Sequence, residues 1–328
     1  MPTTILTALS MLIMLLMHGE TSQSANANYQ LTEEWTLGGE QGDCFGVPLD
    51  KVRDVAQAAD GTIYVSDGGN SRVLHVSADG ACLSQIGSAG EGPGEFVAVG
   101  ALAVYEGKLY ALDTGLRRIS VFGPDHAFER HIKVKHRVAE FVPTQEGIWA
   151  TTYDLRGKTS LVRQYSVDGD VLGAWGQPLE STQAVEQTGT PGRIAVDGGR
   201  LLYAFAYPYR IEVFDRQGEK QSHVAIEDAA FQAPTQAQAS GGVIMGGTLE
   251  TSVGKITTAG PGHLLVQVRG TSWNRLDVLD ASLAVRASID LPEGHRLTRA
   301  GSERVLYTTV SGGDEFASVT KWRVTRTP

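Results

Sequence analysis

Short runs of alternating apolar and polar residues recur along this chain. Arg72-Val-Leu-His-Val76, Arg118-Ile-Ser-Val-Phe122, Arg210-Ile-Glu-Val-Phe214 and Arg275-Leu-Asp-Val-Leu279 each start with Arg and then alternate. A period of two marks a strand with two unlike faces. Leu161 to Tyr165 and Ser318 to Trp322 are weaker copies. Ahead of each copy lies a more apolar run: Ile63-Tyr-Val65, Leu109-Tyr-Ala111, Ile148-Trp-Ala150, Leu202-Tyr-Ala204, Leu264-Leu-Val266 and Leu306-Tyr-Thr308. Turns such as Asp60-Gly61, Glu146-Gly147 and Asp168-Gly169 separate the runs. Glycine there supplies the positive φ of tight hairpins.

The unit is therefore four strands joined by short turns, repeated six times. From Ile63 to Leu306 the mean period is about 49 residues, the spacing of β-propeller blades. The pattern predicts an all-β, six-bladed propeller of four-stranded antiparallel blades. The sixth copy reaches only a third strand before Pro328. Glu34 to Gly38 and its Gly-rich connector to Phe45 match Ser84 to Gly87 and the connector to Phe96. The N-terminal strand is expected to complete the last blade and remove the open sheet edges. First strands are expected near Arg53, Gly100, Ala139, Arg193, Lys255 and Arg296.

The first copy carries Asp60-Gly-Thr-Ile-Tyr-Val-Ser-Asp67-Gly-Gly-Asn70-Ser-Arg72-Val73, followed by Gly90-Glu-Gly-Pro-Gly-Glu-Phe96. These residues resemble the NHL-repeat family, well matched over residues 52 to 122 and as a pattern beyond. The resemblance is to exported bacterial members as well as to protein-binding and nucleic-acid-binding ones. It implies that Asp67 with Arg72, and Asp113 with Arg118, hold their loops as structural pairs.

The N-terminus reads differently. Ile5 to Met17 is an uncharged apolar run, too short to span roughly 30 Å of hydrocarbon as a helix. Ala25-Asn26-Ala27 follows as a cleavage pattern. Residues 1–27 therefore read as a signal peptide and 28–328 as one propeller domain, periplasmic or secreted, with no membrane insertion after cleavage. A buried or membrane-anchoring N-terminal helix is the alternative.

The 328 residues carry 28 Lys+Arg against 37 Asp+Glu, a net charge of −9. Loss of the leader with Glu20 leaves about −8. That balance lacks the basic footprint of a nucleic-acid binder. Two cysteines exclude a disulfide-stapled scaffold. Cys44 belongs to a top-face connector and Cys82 to the bottom of an outer strand. A strand is roughly 17 Å long, so two unpaired thiols are expected.

There is no Gly-x-Ser-x-Gly elbow, phosphate loop or His-Glu-x-x-His. Among the histidines only His136 and His295 lie near inner-strand starts, so no three-histidine metal site is expected. No cofactor or metal is implied. The loops between second and third strands carry more. They offer Tyr153 and Arg156, then Tyr207, Tyr209 and Arg210, then Arg269 and Trp273, all expected on one face. Tyr, Trp and Arg are the residue types of binding hot spots. Two inserts, 178–191 and 228–254, emerge on the same face. The expected function is a non-enzymatic, monomeric binding module for a protein, peptide or glycan, with an off-centre site over blades three to five. The alternative is a propeller lyase or hydrolase using Asp54, Glu140 or His295 at the channel mouth as acid or base, or a metal site there.

Overall fold

A computed structural model describes residues 29–326 apart from 40–42, 154–159, 178, 180–190, 233–237, 241–242, 246–249, 302–303 and 312–315. Six sheets of four antiparallel strands form the six blades of a ring. Blade one is Val52–Gln57, Ile63–Asp67, Arg72–Val76 and Cys82–Ile86, from the axis outward. The inner strands of the others are Val99–Tyr105, Val138–Thr144, Arg193–Asp197, Ser252–Thr258 and Arg296–Ala300. Residues 1–27, whose sequence reads as a signal peptide, lie outside the described residues.

The ring closes as its pattern predicts. The N-terminal strand Tyr29–Gly38 pairs with Ser318–Arg326 from Tyr29 opposite Arg326 to Gly38 opposite Ser318. Gly38 ends this strand at φ 92°, and a side chain there would strike the Ala317 carbonyl oxygen. Only glycine satisfies both demands without strain.

The core is divided among the six blade junctions. In blade one, Ile63, Val65, Leu74 and Val76 face the last blade, while Tyr64 and Val73 face blade two. The period-two pattern thus buries both faces of each middle strand, each against a different neighbour. Fully burying one such aliphatic side chain contributes about 1.5–3 kcal/mol.

The cysteines correct the sequence reading. Cys44 and Cys82 form a disulfide, with Cα atoms 5.9 Å apart. The connector does not stay on the top face. Its small hairpin, Asp43–Cys44 with Val47–Pro48, turns down into the junction between the last and first blades, where Cys44 is 1% exposed. Arg72 donates to the Cys44 and Val47 carbonyls at 3.3 and 3.0 Å.

Candidate functional site

Inner strands converge on the axis, so their upper ends decide what the channel mouth presents. Five of the six carry a β-bulge near that end, between Val52/Val55, Val99/Leu102, Val138/Glu140, Val253/Lys255 and Leu297/Arg299. A bulge re-aims the side chains around it. Around these bulges lies a funnel of about 640 Å³ on the face carrying the second-to-third-strand loops.

Asp54, Glu140 and Lys255 line its floor. Lys255 Nζ contacts Glu140 Oε1 and lies 3.9 Å from Asp54 Oδ1. Each carboxylate also ties its blade to the next: Asp54 accepts the Leu102 N–H and Glu140 the Ile194 N–H, both at 3.0 Å. Gln267 does the same for Leu297 at 3.1 Å. Blades one to two, three to four and five to six are thus joined at the axis. Burial raises the Asp54 carboxyl above its usual range, against the pull of Lys255. Burial opposes the charge on Lys255, but Asp54 and Glu140 outweigh it and hold the amine above its usual value. Arg299, which is not part of the funnel lining, is close enough to both carboxylates to feel their charge. Burial lowers its pKa, while Asp54 and Glu140 work the other way.

The wall above is basic. Arg193, Arg269 and Arg296 line one side, from blades four, five and six. Lys51, Arg53, Arg117 and Arg137 line the rest. Among the described residues, no carboxylate makes an ion pair with Arg193, Arg269 or Arg296. Burial, with repulsion from Arg296 and Arg193, brings the Arg269 guanidinium down to about 10. The lining holds eight basic side chains and two acidic ones, and both acids are engaged by Lys255. A cleft of one sign within low-dielectric walls concentrates ions of the other. The molecule as a whole is acidic, so this polarity belongs to the funnel.

The anticipated site residues scatter. Tyr153 and Arg269 line the funnel, and Arg137 lies over the Tyr153 ring at 5.6 Å. Arg156 lies outside the described residues. Tyr209 is 2% exposed, a correction to its place in an open site: it shares a core with Ile211 and Val213. Tyr207 stacks on Phe231 at 5.6 Å, Arg210 pairs with Glu212 at 3.1 Å, and Trp273 lies under Arg275. None of these lines the funnel. Of the residues anticipated for an off-centre platform over blades three to five, only Tyr153 and Arg269 line the axial funnel among the described residues. His295 also turns away, with Nδ1 2.8 Å from Thr308 Oγ1 and its ring edge-on to Trp322. His136 Nδ1 lies 2.9 Å from the Tyr165 hydroxyl. Among the described residues no three His, Cys, Asp or Glu side chains are placed to hold a metal.

Asp67 and Arg72 form a buried ion pair at 2.7 Å, and Asn70 donates to both oxygens of Asp67. In blade two the corresponding residues hold the loop separately. Asp113 accepts the N–H groups of Val97, Ala98, Gly115 and Leu116. Arg118 donates to the carbonyls of Glu91, Gly92 and Glu95.

Residues 47–227, more than half of the chain, match the family DUF5128, described as a 6-bladed beta-propeller. A search of curated proteins finds no match. Among solved structures, a candidate exported protein from Bacteroides fragilis is similar at 12% identity and TM-score 0.63, over 94% of this chain and 98% of that one. A gluconolactonase from Xanthomonas campestris is similar at 14% identity and TM-score 0.57, over 93% of each chain. Virginiamycin B lyase from Staphylococcus aureus is similar at 11% identity and TM-score 0.55, over 90% of this chain and 99% of that one. At such identities the likeness is one of fold.

Proposed function

The chain belongs to DUF5128, a family of six-bladed β-propellers, and on that premise we propose that it is an exported, non-enzymatic binding module whose axial funnel receives an acidic saccharide. The observation that carries this reading is a basic wall in which Arg193, Arg269 and Arg296 form no ion pair among the described residues, above a neutralised floor. Peptide anchors need deep apolar or aromatic pockets. Here Tyr153 is the one aromatic in the lining among the described residues, and the other lining groups are mostly polar or small. One aromatic ring beside several guanidinium groups suits a saccharide bearing negative charge. A volume of about 640 Å³ is of the size that encloses a small ligand, here a chain end.

Export is part of the proposal. The leader-like N-terminus, the disulfide and the fold likeness to a candidate exported protein support it. An acid–base enzyme is the second reading, favoured by the raised Asp54 carboxyl and by fold likeness to a lyase and a lactonase. Weighing against it, Asp54 and Glu140 are both bonded to backbone N–H groups of the next blade.

The test uses the mature chain and defined oligosaccharides: uronate-bearing, sulfated, phosphorylated and neutral. Calorimetry should give saturable, salt-sensitive binding to an acidic member and none to its neutral counterpart. Equal binding of the neutral sugar, or preference for an acidic peptide, would remove the saccharide reading. Turnover of any member, lost in Asp54→Asn, would favour the enzyme.

A further inference from the structure

Three arginines from three consecutive blades line one side of the funnel, and no described carboxylate forms an ion pair with any of them. Arg193 Nε donates to the Gly254 carbonyl at 2.6 Å, and its Nη1 to the Pro191 carbonyl at 3.4 Å. Arg269 Nε lies 3.3 Å from the Ser252 hydroxyl. Ser252 and Gly254 are two residues apart on the inner strand of blade five, so Arg193 and Arg269 bracket one strand end. Arg296 is placed by its neighbours. The His295 carbonyl accepts from Gln267 and Asn274, and the Leu297 N–H donates to Gln267. Gln267 lies two residues before Arg269 on the same strand. Both Nη groups of Arg269, and the whole Arg296 fork, make no hydrogen bond with a described residue. All three line the same cavity.

We propose that Arg193, Arg269 and Arg296 form a subsite for one tetrahedral oxyanion, a phosphate or sulfate group carried by the ligand. This rests on the acidic-saccharide reading above and narrows it. A planar carboxylate offers two oxygens and is matched by a single guanidinium fork. Forks approaching from three blades instead suit a group with three terminal oxygens in three directions. The mutual repulsion that depresses Arg269 is relieved most by a multiply charged anion. The neutralised floor matters as well: with Asp54 and Glu140 engaged by Lys255, they repel an anion above them less than free carboxylates would.

The test uses inorganic phosphate, inorganic sulfate and acetate as probes, with the mature chain at constant ionic strength. Phosphate or sulfate should raise the melting temperature saturably, and acetate at the same concentration should not. Whichever of the two binds more tightly identifies the ester to seek on the ligand. Arg269→Gln and Arg296→Gln should each weaken binding about tenfold or more, and Arg269→Lys should fall between, keeping charge but losing the fork. Arg326→Gln, far out on the last strand, should leave binding unchanged. Without ligand, Arg269→Gln should melt no lower than the parent, because it removes repulsion. If Arg269→Gln does not fold, the exposed Arg296→Gln carries the comparison. Acetate binding equal to phosphate, or unchanged affinity in both glutamine variants, overturns the subsite. If that happens while uronate oligosaccharides still bind, the subsite fails and the saccharide reading stands. If no acidic saccharide binds either, both fall.

Discussion

Arg72→Ala should be among the most damaging single substitutions in this ring. Asp67 is 0% exposed and Arg72 3%, with 2.7 Å between their charged atoms. Removing one partner of a buried pair costs about 3–5 kcal/mol, because the other charge stays behind without water. Asn70 Nδ2 and the Asp50 N–H still donate to Asp67, so the lower end of that range applies. The guanidinium also holds Gln85 and two carbonyls of the disulfide hairpin. Arg118→Ala in blade two is the matched comparison. Among the described residues Arg118 meets three carbonyls and no carboxylate, and its outermost contact is exposed. Released carbonyls there regain water, so the loss should be about 1–2 kcal/mol. Urea unfolding with the disulfide intact, at unchanged m-value, measures both. The double variant Asp67→Asn with Arg72→Met should lose less than the sum of its two single variants, since no charge is left buried. If Arg72→Ala costs no more than Arg118→Ala, or the double variant is additive, the buried pair does not hold the loop as argued.

Other perturbations test the remaining parts of the ring. Cys44→Ser with Cys82→Ser opens a link across 38 residues, which the chain-entropy relation values at about 4 kcal/mol; a urea midpoint matching the parent's would contradict it. His75 of blade one packs against Tyr64 and against His126 from blade two, and burial, then His126, lower its pKa below the usual 6.5. The unfolded chain therefore binds the proton first, and stability should fall as pH drops through about 6.5 toward the lower folded value. Melting curves of His75→Gln should show a shallower fall across that window, and an identical slope would clear His75 of the effect. Tyr153→Ala should weaken binding of an acidic saccharide by about threefold to tenfold, while Tyr207→Ala, stacked on Phe231 outside the funnel, should leave it unchanged. Titration calorimetry separates the two, and the reverse order would return the site to blades four and five.

The ring was legible because its evidence repeats. Each alternating strand, four of them Arg-led and two weaker, says little alone, yet six copies at one period leave few other folds. The closing strand was legible for the same reason, since its connector matches the one after blade one. The disulfide was hidden because the Asp43–Pro48 hairpin has two-residue strands, too short for any periodicity to show which way it turns. Tyr209 is a different case. It shares the phase of Ile211 and Val213, and the alternation that found the strand also assigns Tyr209 to its buried side. Weighing it by residue type as a binding aromatic set that phase aside.

The funnel was written in the sequence at the inner-strand starts, where Arg53, Arg193, Lys255 and Arg296 fall. Read one at a time they are ordinary surface charges. Their meaning comes from closure, which carries residues far apart in the chain to one axis. Net charge concealed them further, because −9 averages over a surface whose acids lie mainly elsewhere. A ring of this kind needs no basic axis to close: its blades are held by six apolar junctions, and three junctions are also tied by Asp54, Glu140 and Gln267. Arg269, brought down to about 10 by burial and its two arginine neighbours, works against the folded state. Selection for stability alone removes such a residue easily, since a neutral side chain there relieves the repulsion. An anion that enters after folding, as proposed for the Arg193, Arg269 and Arg296 subsite, would relieve that repulsion.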